Sequence, residues 1–221
     1  MRIKKEIKIR IFHVECPGPL DLFDGTAEAP VLRSIAPLVG HQIHSRTVSS
    51  AKEFKDACSF LGGIGDFDDN DSDFPLVLHI SAHGHGTGAG ISFGKDISWE
   101  TLVRDLEPFV TLSKSYPGKR IVVLSACDAA RQTVTKILKK NKTKGRVPLD
   151  YLFCTEKAVG WGVAAVAWTL FYYLLGKSPD LDKASVKHIL KNIHLSVGIR
   201  LHYWRWNDRK GQYMHWSPET A

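Results

Sequence analysis

A His-Gly pair, His83-Gly84, and a lone cysteine, Cys127, are the residues of this chain best suited to covalent chemistry. A thiolate is a strong nucleophile, yet a free thiol with a pKa near ~8.5 is mostly protonated at neutral pH. An imidazole within reach can take that proton and later return it to a leaving amine. Gly84 removes a Cβ where a substrate carbonyl would approach, so its backbone N–H and that of Cys127 are candidate oxyanion donors. One such donor contributes roughly 3–4 kcal/mol in the transition state. Each residue also has a plainer reading: a satisfied polar histidine, or a cysteine acting as a small buried hydrophobe. It is their pairing that argues for catalysis.

The pairing depends on two apolar runs. Leu76-Val77-Leu78-His79-Ile80-Ser81-Ala82 ends at His83-Gly84, and Ile121-Val122-Val123-Leu124-Ser125-Ala126 ends at Cys127. Both read as fully buried β-strands. In a parallel α/β sheet, chemistry sits beyond the carboxyl ends of the strands. Neighbouring strands of this kind deliver an imidazole and a thiol to one edge.

The rest of the chain reads as the matching scaffold. Residues 6–15 form a first strand through Ile7, Ile9, Ile11 and Val14, and residues 16–40, with four of the ten prolines, read as a loop holding one short helix. A second strand over Gln42 to Val48 precedes a helix from Ser50 to Leu61. Beyond the His strand lie a helix from Trp99 to Phe109, the Cys strand, and a helix from Ala129 to Lys140. A strand from Leu149 to Cys154, helices near 161–175 and 182–196, and a β-hairpin from Leu201 to Trp216 complete the order. Strands alternating with helices predict an α/β fold, a mostly parallel sheet with helices on both faces.

These motifs in this order resemble the caspase-like (clan CD) cysteine peptidases, and most closely their CHAT branch. The matching pieces are His83-Gly84, the small hairpin over Gly90 to Asp96, the helix opening Ile97-Ser98-Trp99, Ser125-Ala126-Cys127, and Phe171 to Ser178 late in an apolar helix. They span about residues 70–195. The resemblance implies one caspase-like domain over residues 1–221, peptide-bond hydrolysis without a cofactor, Cys127 as nucleophile and His83 as base and acid. It also implies oxyanion donation by Gly84 and Cys127, a protein or peptide substrate, and an effector unleashed by a protein partner, as in prokaryotic anti-phage defence. Two residues before the nucleophile, where caspases carry Gln and metacaspases an acidic residue, stands Ser125. It is a pocket candidate that fixes neither an acidic nor a basic preference. Asp128 is a second pocket candidate, with an alternative role as N-cap or first-turn residue of the next helix.

Composition fits a soluble domain: 221 residues, 43% hydrophobic and 24% charged, with a formal net charge of +7. The positive balance suits acidic partners, nucleic acid among them, with the densest basic run from Lys136 to Arg146. Four cysteines without CxxC spacing point to reduced thiols and a cytoplasmic location rather than a disulfide framework. The N-terminal Met1 to Glu6 lacks the apolar core of a secretory signal. Ala158 to Gly176 carries no charge and reaches the length threshold of a membrane span. Its place within an α/β pattern instead predicts a helix buried on all sides.

Other readings stay open. His79, His83 and His85 could serve a zinc hydrolase, although His79 and its strand neighbours alternate between faces. The Asp66, Asp68, Asp69, Asp71 and Asp73 cluster could bind calcium, but it lacks the EF-hand glycine and closing Glu. The glycines from Gly84 to Gly90 match no phosphate-binding fingerprint. A catalytically silent scaffold, or a nucleic-acid or protein-binding module using the aromatic tail and Lys139 to Lys144, is the alternative of a different class.

Overall fold

The computed structural model describes residues 7–63, 73–85, 87–92, 95–111, 116–130, 133–140, 149–178 and 181–219. Seven strands lie side by side in the order β2-β1-β3-β6-β7-β8-β9. These are β1 (Arg10–Cys16), β2 (Gln42–Thr47), β3 (Leu76–His85), β6 (Arg120–Ser125), β7 (Tyr151–Thr155), β8 (Leu201–Asn207) and β9 (Gln212–Trp216). The first five are mutually parallel, and the β8–β9 hairpin adds antiparallel to β7. A small antiparallel ribbon, β4 (Gly88–Ser92) with β5 (Lys95–Ser98), branches from the end of β3. The sheet expected from the sequence is present, with helices on both faces and the C-terminal hairpin.

Period-two alternation explains the two cores. Leu78, Ile80, Val122 and Leu124 turn to one face and pack with Phe54 and Leu61 of α3 (Ala51–Gly62) and Trp99 and Leu102 of α4 (Trp99–Asp105). Val77, Ile121, Val123 and Phe153 turn to the other. They meet Leu32 of α2 (Ala29–Leu38), Trp168 and Phe171 of α7 (Trp161–Gly176), and Ile189 and Ile193 of α8 (Lys183–Val197). Both faces being covered, the central parallel strands have no solvated side, and the polar residues they carry, His13, His79, Ser81 and Ser125, are buried.

Helix starts follow local chemistry. The Ser50 hydroxyl accepts from the Glu53 amide at the start of α3, and the Asp182 carboxylate accepts from the Ser185 amide at the start of α8. α7 is the uncharged stretch that approached membrane-span length. One face packs between the sheet and α8, with Trp168, Phe171 and Leu175 fully inaccessible. Val163, Val166 and Tyr173 are exposed, so the expected burial on all sides does not hold. Among the described residues no helix is long and apolar enough to cross a membrane.

Four further expectations change. Residues 16–40 hold two helices, α1 (Pro19–Asp24) and α2, because Pro19 and Pro30 occupy first-turn positions where a missing N–H costs nothing. The helix expected over 99–109 divides at Leu106 into α4 and α5 (Glu107–Val110), with Pro108 opening the second piece. Of the helix expected from Ala129, Ala129 and Ala130 lie in a turn, and the described helix is α6 (Thr133–Lys140). The first strand begins at Arg10 rather than at residue 6. The acidic cluster apart from Asp73, and the basic run beyond Lys140, lie outside the described residues.

Candidate active site

Register brings the two candidate catalytic residues to one edge. β3 and β6 pair in parallel from Leu76↔Arg120 to Ser81↔Ser125, so His83 and Cys127 each lie two residues past the last pair. By alternation both leave the sheet on the α2/α7 side. His83, Cys127, Ser125 and Glu28 line a single cleft with Ala82, Ala126, Val159, Trp161 and Ala164, enclosing about 470 Å³ of empty space open to solvent.

Cys127 is held by a turn rather than by a helix. The Ala129 amide donates to the Ala126 carbonyl, which also accepts from the Thr155 hydroxyl at 2.6 Å. Asp128 sits in that turn with φ 58°, a left-handed backbone that aspartate tolerates better than most residues. Its reading as an N-cap or first-turn residue therefore fails, since Ala129 and Ala130 after it continue the turn instead of opening a helix, and Asp128 does not line the cleft. Of the four cysteines, Cys127 alone is not buried. Burial pushes the Cys16 and Cys154 thiols well up and Cys58 to about 12, leaving them inert.

Gly84 owes its identity to a contact different from the one expected. A Cβ there would stand 2.1 Å from the Cys127 carbonyl oxygen and 2.6 Å from its nitrogen. The missing side chain admits the nucleophile's own backbone, not a substrate carbonyl. The main chains of the two candidate catalytic segments thus touch directly.

Two acidic residues of the site were not singled out in the sequence. Asp21 of α1 reaches His83, with Nε2 and Oδ2 at 2.7 Å, while the Gly18 amide donates to the same oxygen at 2.7 Å. Burial alone would raise the Asp21 carboxyl. The hydrogen bonds from His83, Gly18 and Trp161 outweigh it and hold the group below its usual range. The Trp161 ring stands edge-on to the imidazole, 5.4 Å between centroids. With Nε2 committed to Asp21, Nδ1 is the nitrogen available to a thiol. A carboxylate orienting a histidine in this way is the third member of many nucleophilic sites.

The second is Glu28, at the N-terminus of α2 and 1% exposed. The Ser125 hydroxyl donates to its Oε1 at 2.5 Å and the Ser81 hydroxyl to its Oε2 at 2.8 Å. A single set of proton positions satisfies what surrounds it. Trp168 Nε1, a donor only, gives its proton to the Ser125 oxygen at 2.8 Å, and His13 Nε2 gives its proton to the Ser81 oxygen at 2.9 Å. The Tyr172 hydroxyl donates to His79 Nδ1 at 2.8 Å. His79 Nε2–H then faces Glu28 Oε2 at 3.1 Å, without the alignment of a hydrogen bond. Burial lowers both His79 and His13 to about 3, so both imidazoles are neutral. For Glu28, burial dominates over its serine and histidine neighbours and raises it to about 7.

His13, Glu28 and His79 offer atoms within 4.8 Å of one another, the residue set nearest to a metal site among those described. Most of their polar atoms are engaged with Ser45, Ser81, Ser125 and Tyr172, and His79 Nε2, facing Glu28 at 3.1 Å, is the one left without a hydrogen bond. The zinc alternative built on His79, His83 and His85 does not hold. His79 turns into the core, His83 to Asp21, and His85 to Asp96 at 2.8 Å.

The signal for Asp21 and Glu28 was available in topology. β1 neighbours β3, so the loop leaving β1 opens on the same edge as His83, and acids within it are candidates. The proline-rich composition concealed them.

No family model matches the chain, and no curated protein does. Among solved structures, it is similar to the crystal structure of caspase-1 from Spodoptera frugiperda, at TM-score 0.50 and 12% identity, over 85% of this chain and 77% of that one. That likeness shows a caspase-like fold.

Proposed function

We propose that the protein is a cysteine endopeptidase in which Cys127 and His83 hydrolyse peptide bonds. The observation that carries this reading is the shared cleft: a partly exposed thiol and an imidazole tethered to Asp21 at one sheet edge. His83 Nδ1 takes the Cys127 proton, and the sulfur adds to the substrate carbonyl. The oxyanion faces the N–H groups of Gly84 and Cys127. The imidazolium, steadied by Asp21, protonates the departing amine, leaving an acyl-thioester. Water, deprotonated by the same imidazole, then releases the acid and restores the thiol. The caspase-like fold supports this reading, since it is a scaffold on which such chemistry occurs.

The motif order that resembles the CHAT branch supports a finer version: a cytoplasmic effector, switched on by a protein partner, of the kind used against phage. The test is proteolysis of a proteome-derived peptide mixture by wild type, Cys127→Ala and His83→Ala, read by mass spectrometry. Both variants should lose at least about 10³-fold in turnover. Wild-type cleavage by Cys127→Ala would refute the assignment.

A further inference from the structure

We infer that Glu28 selects a lysine or arginine side chain immediately before the scissile bond. The inference rests on the endopeptidase reading above and adds to it the class of peptide that the cleft accepts.

The residue two before the nucleophile, Ser125, carries no charge of its own. It carries one at second hand, because its hydroxyl points into the Glu28 carboxylate at 2.5 Å. Glu28 is delivered from the start of α2, outside the two catalytic strands, and lines the cleft together with Ser125, His83 and Cys127. The rest of the lining is mostly apolar, with Ala82, Ala126, Val159, Trp161 and Ala164 beside Thr155 and Gly160. A long aliphatic stem ending in a cation fits such a slot, since lysine and arginine lay their methylenes on apolar surface and keep the charged head beside polar groups.

The carboxylate is built to meet a cation it does not yet have. Among the described residues its only ion-pair partner is His79, an imidazole kept neutral by burial. Ser81 and Ser125 donate to it, His13 and Trp168 donate to those serines, Tyr172 donates to His79, and Glu15 on β1 is a second buried carboxyl close enough to feel its charge. The donors fix the position of the carboxyl but supply no permanent cation, so burial leaves it only partly ionised at neutral pH and an entering cation would complete its ionisation. Asp21 adds a second carboxylate at the rim, bonded to His83. In a chain of net charge +7, acidic groups gather at this edge.

Arginine and citrulline differ in charge at nearly equal shape, so they isolate what Glu28 contributes. Matched peptides with Arg, Lys, citrulline, norleucine or Asp before the bond should be compared for cleavage by the full-length protein. In parallel, chloromethyl ketones with the same side chains should be compared for alkylation of Cys127, read by intact mass. Wild type should favour Arg over citrulline by about 10- to 100-fold in both readouts. Glu28→Gln should reduce that ratio to within about threefold, and Glu28→Asp should keep part of it. Preference for Asp or norleucine in wild type, or an undiminished ratio in Glu28→Gln, overturns the inference while leaving the peptidase reading intact. Selective alkylation by the basic probes with no cleavage of any peptide sustains the pocket and overturns the peptidase reading. Because the Arg-to-citrulline ratio is read on wild type, an unstable variant does not protect the inference.

Discussion

Replacing Glu28 with glutamine keeps shape and most hydrogen-bonding capacity while removing a titration, so its effect on stability should depend on pH in a calculable way. The carboxyl has an ordinary value of 4.5 and is raised to about 7 in the fold, chiefly by burial. A carboxyl raised in the native state contributes stability fully below its unfolded value and loses it as pH rises through the native one. At 1.36 kcal/mol per pH unit, ionising Glu28 costs the native state about 3 kcal/mol between pH 4.5 and pH 8. The neighbours that titrate alongside it are His13 and Glu15 on β1 and His79 on β3, with Tyr172 on α7 and Arg33 on α2 contributing charge or hydrogen bonds. The two histidines act in the opposite sense. Lowered to about 3, they add stability above pH 6.5 and lose it as pH falls through the interval down to 3. Those contributions are largely shared by wild type and variant, so the difference between the two proteins isolates Glu28. Urea unfolding of both at half-unit steps from pH 4.5 to 8 should show the variant gaining about 3 kcal/mol relative to wild type across the range. Parallel curves would mean that Glu28 titrates near its ordinary value, and the account of a carboxylate held by burial against its ionisation would be wrong.

Two further outcomes follow from the site geometry. Gly84→Ala places a carbon 2.1 Å from the Cys127 carbonyl oxygen, so the two main chains must separate by about 1 Å and peptidase kcat/KM should fall about 100-fold; wild-type kinetics would show that the contact is slack. Asp21→Ala should lower kcat about 10-fold or more with KM little changed, and Asp21→Asn should lose less, because an amide oxygen still accepts from His83 Nε2–H; a KM effect without a kcat effect would mean that Asp21 serves substrate binding instead of imidazole orientation.

The parts of this molecule legible in its sequence are those in which one residue's neighbours along the chain determine its fate. Continuous apolar runs made β3 and β6 plain, and their ends placed His83 and Cys127. Ser50 and Asp182 marked helix starts through contacts three residues away. What stayed hidden depends on distant partners. Pro19 and Pro30 read as loop residues but begin helices. Glu28, in a stretch without strand or motif, is defined by Ser81 and Ser125, 53 and 97 residues away in the chain. Gly84 stands out in the sequence for its lack of a Cβ, yet the partner this admits is the Cys127 main chain rather than a ligand. The acids that complete the site come from the β1 exit loop, where no local pattern separates a buried carboxylate from a solvated one.

The direct abutment of Gly84 on Cys127 limits how any switch could operate. A latent state that parted nucleophile from base by sliding their strands would have to undo the six-rung ladder running from Leu76↔Arg120 to Ser81↔Ser125, at the middle of the sheet. A switch acting on this site would meet less resistance at the periphery: in α1, the short helix that aims Asp21, or in admission of a ligand to the cleft. The distance between the two main chains is set once, when the sheet forms, and what stays adjustable is aim and entry.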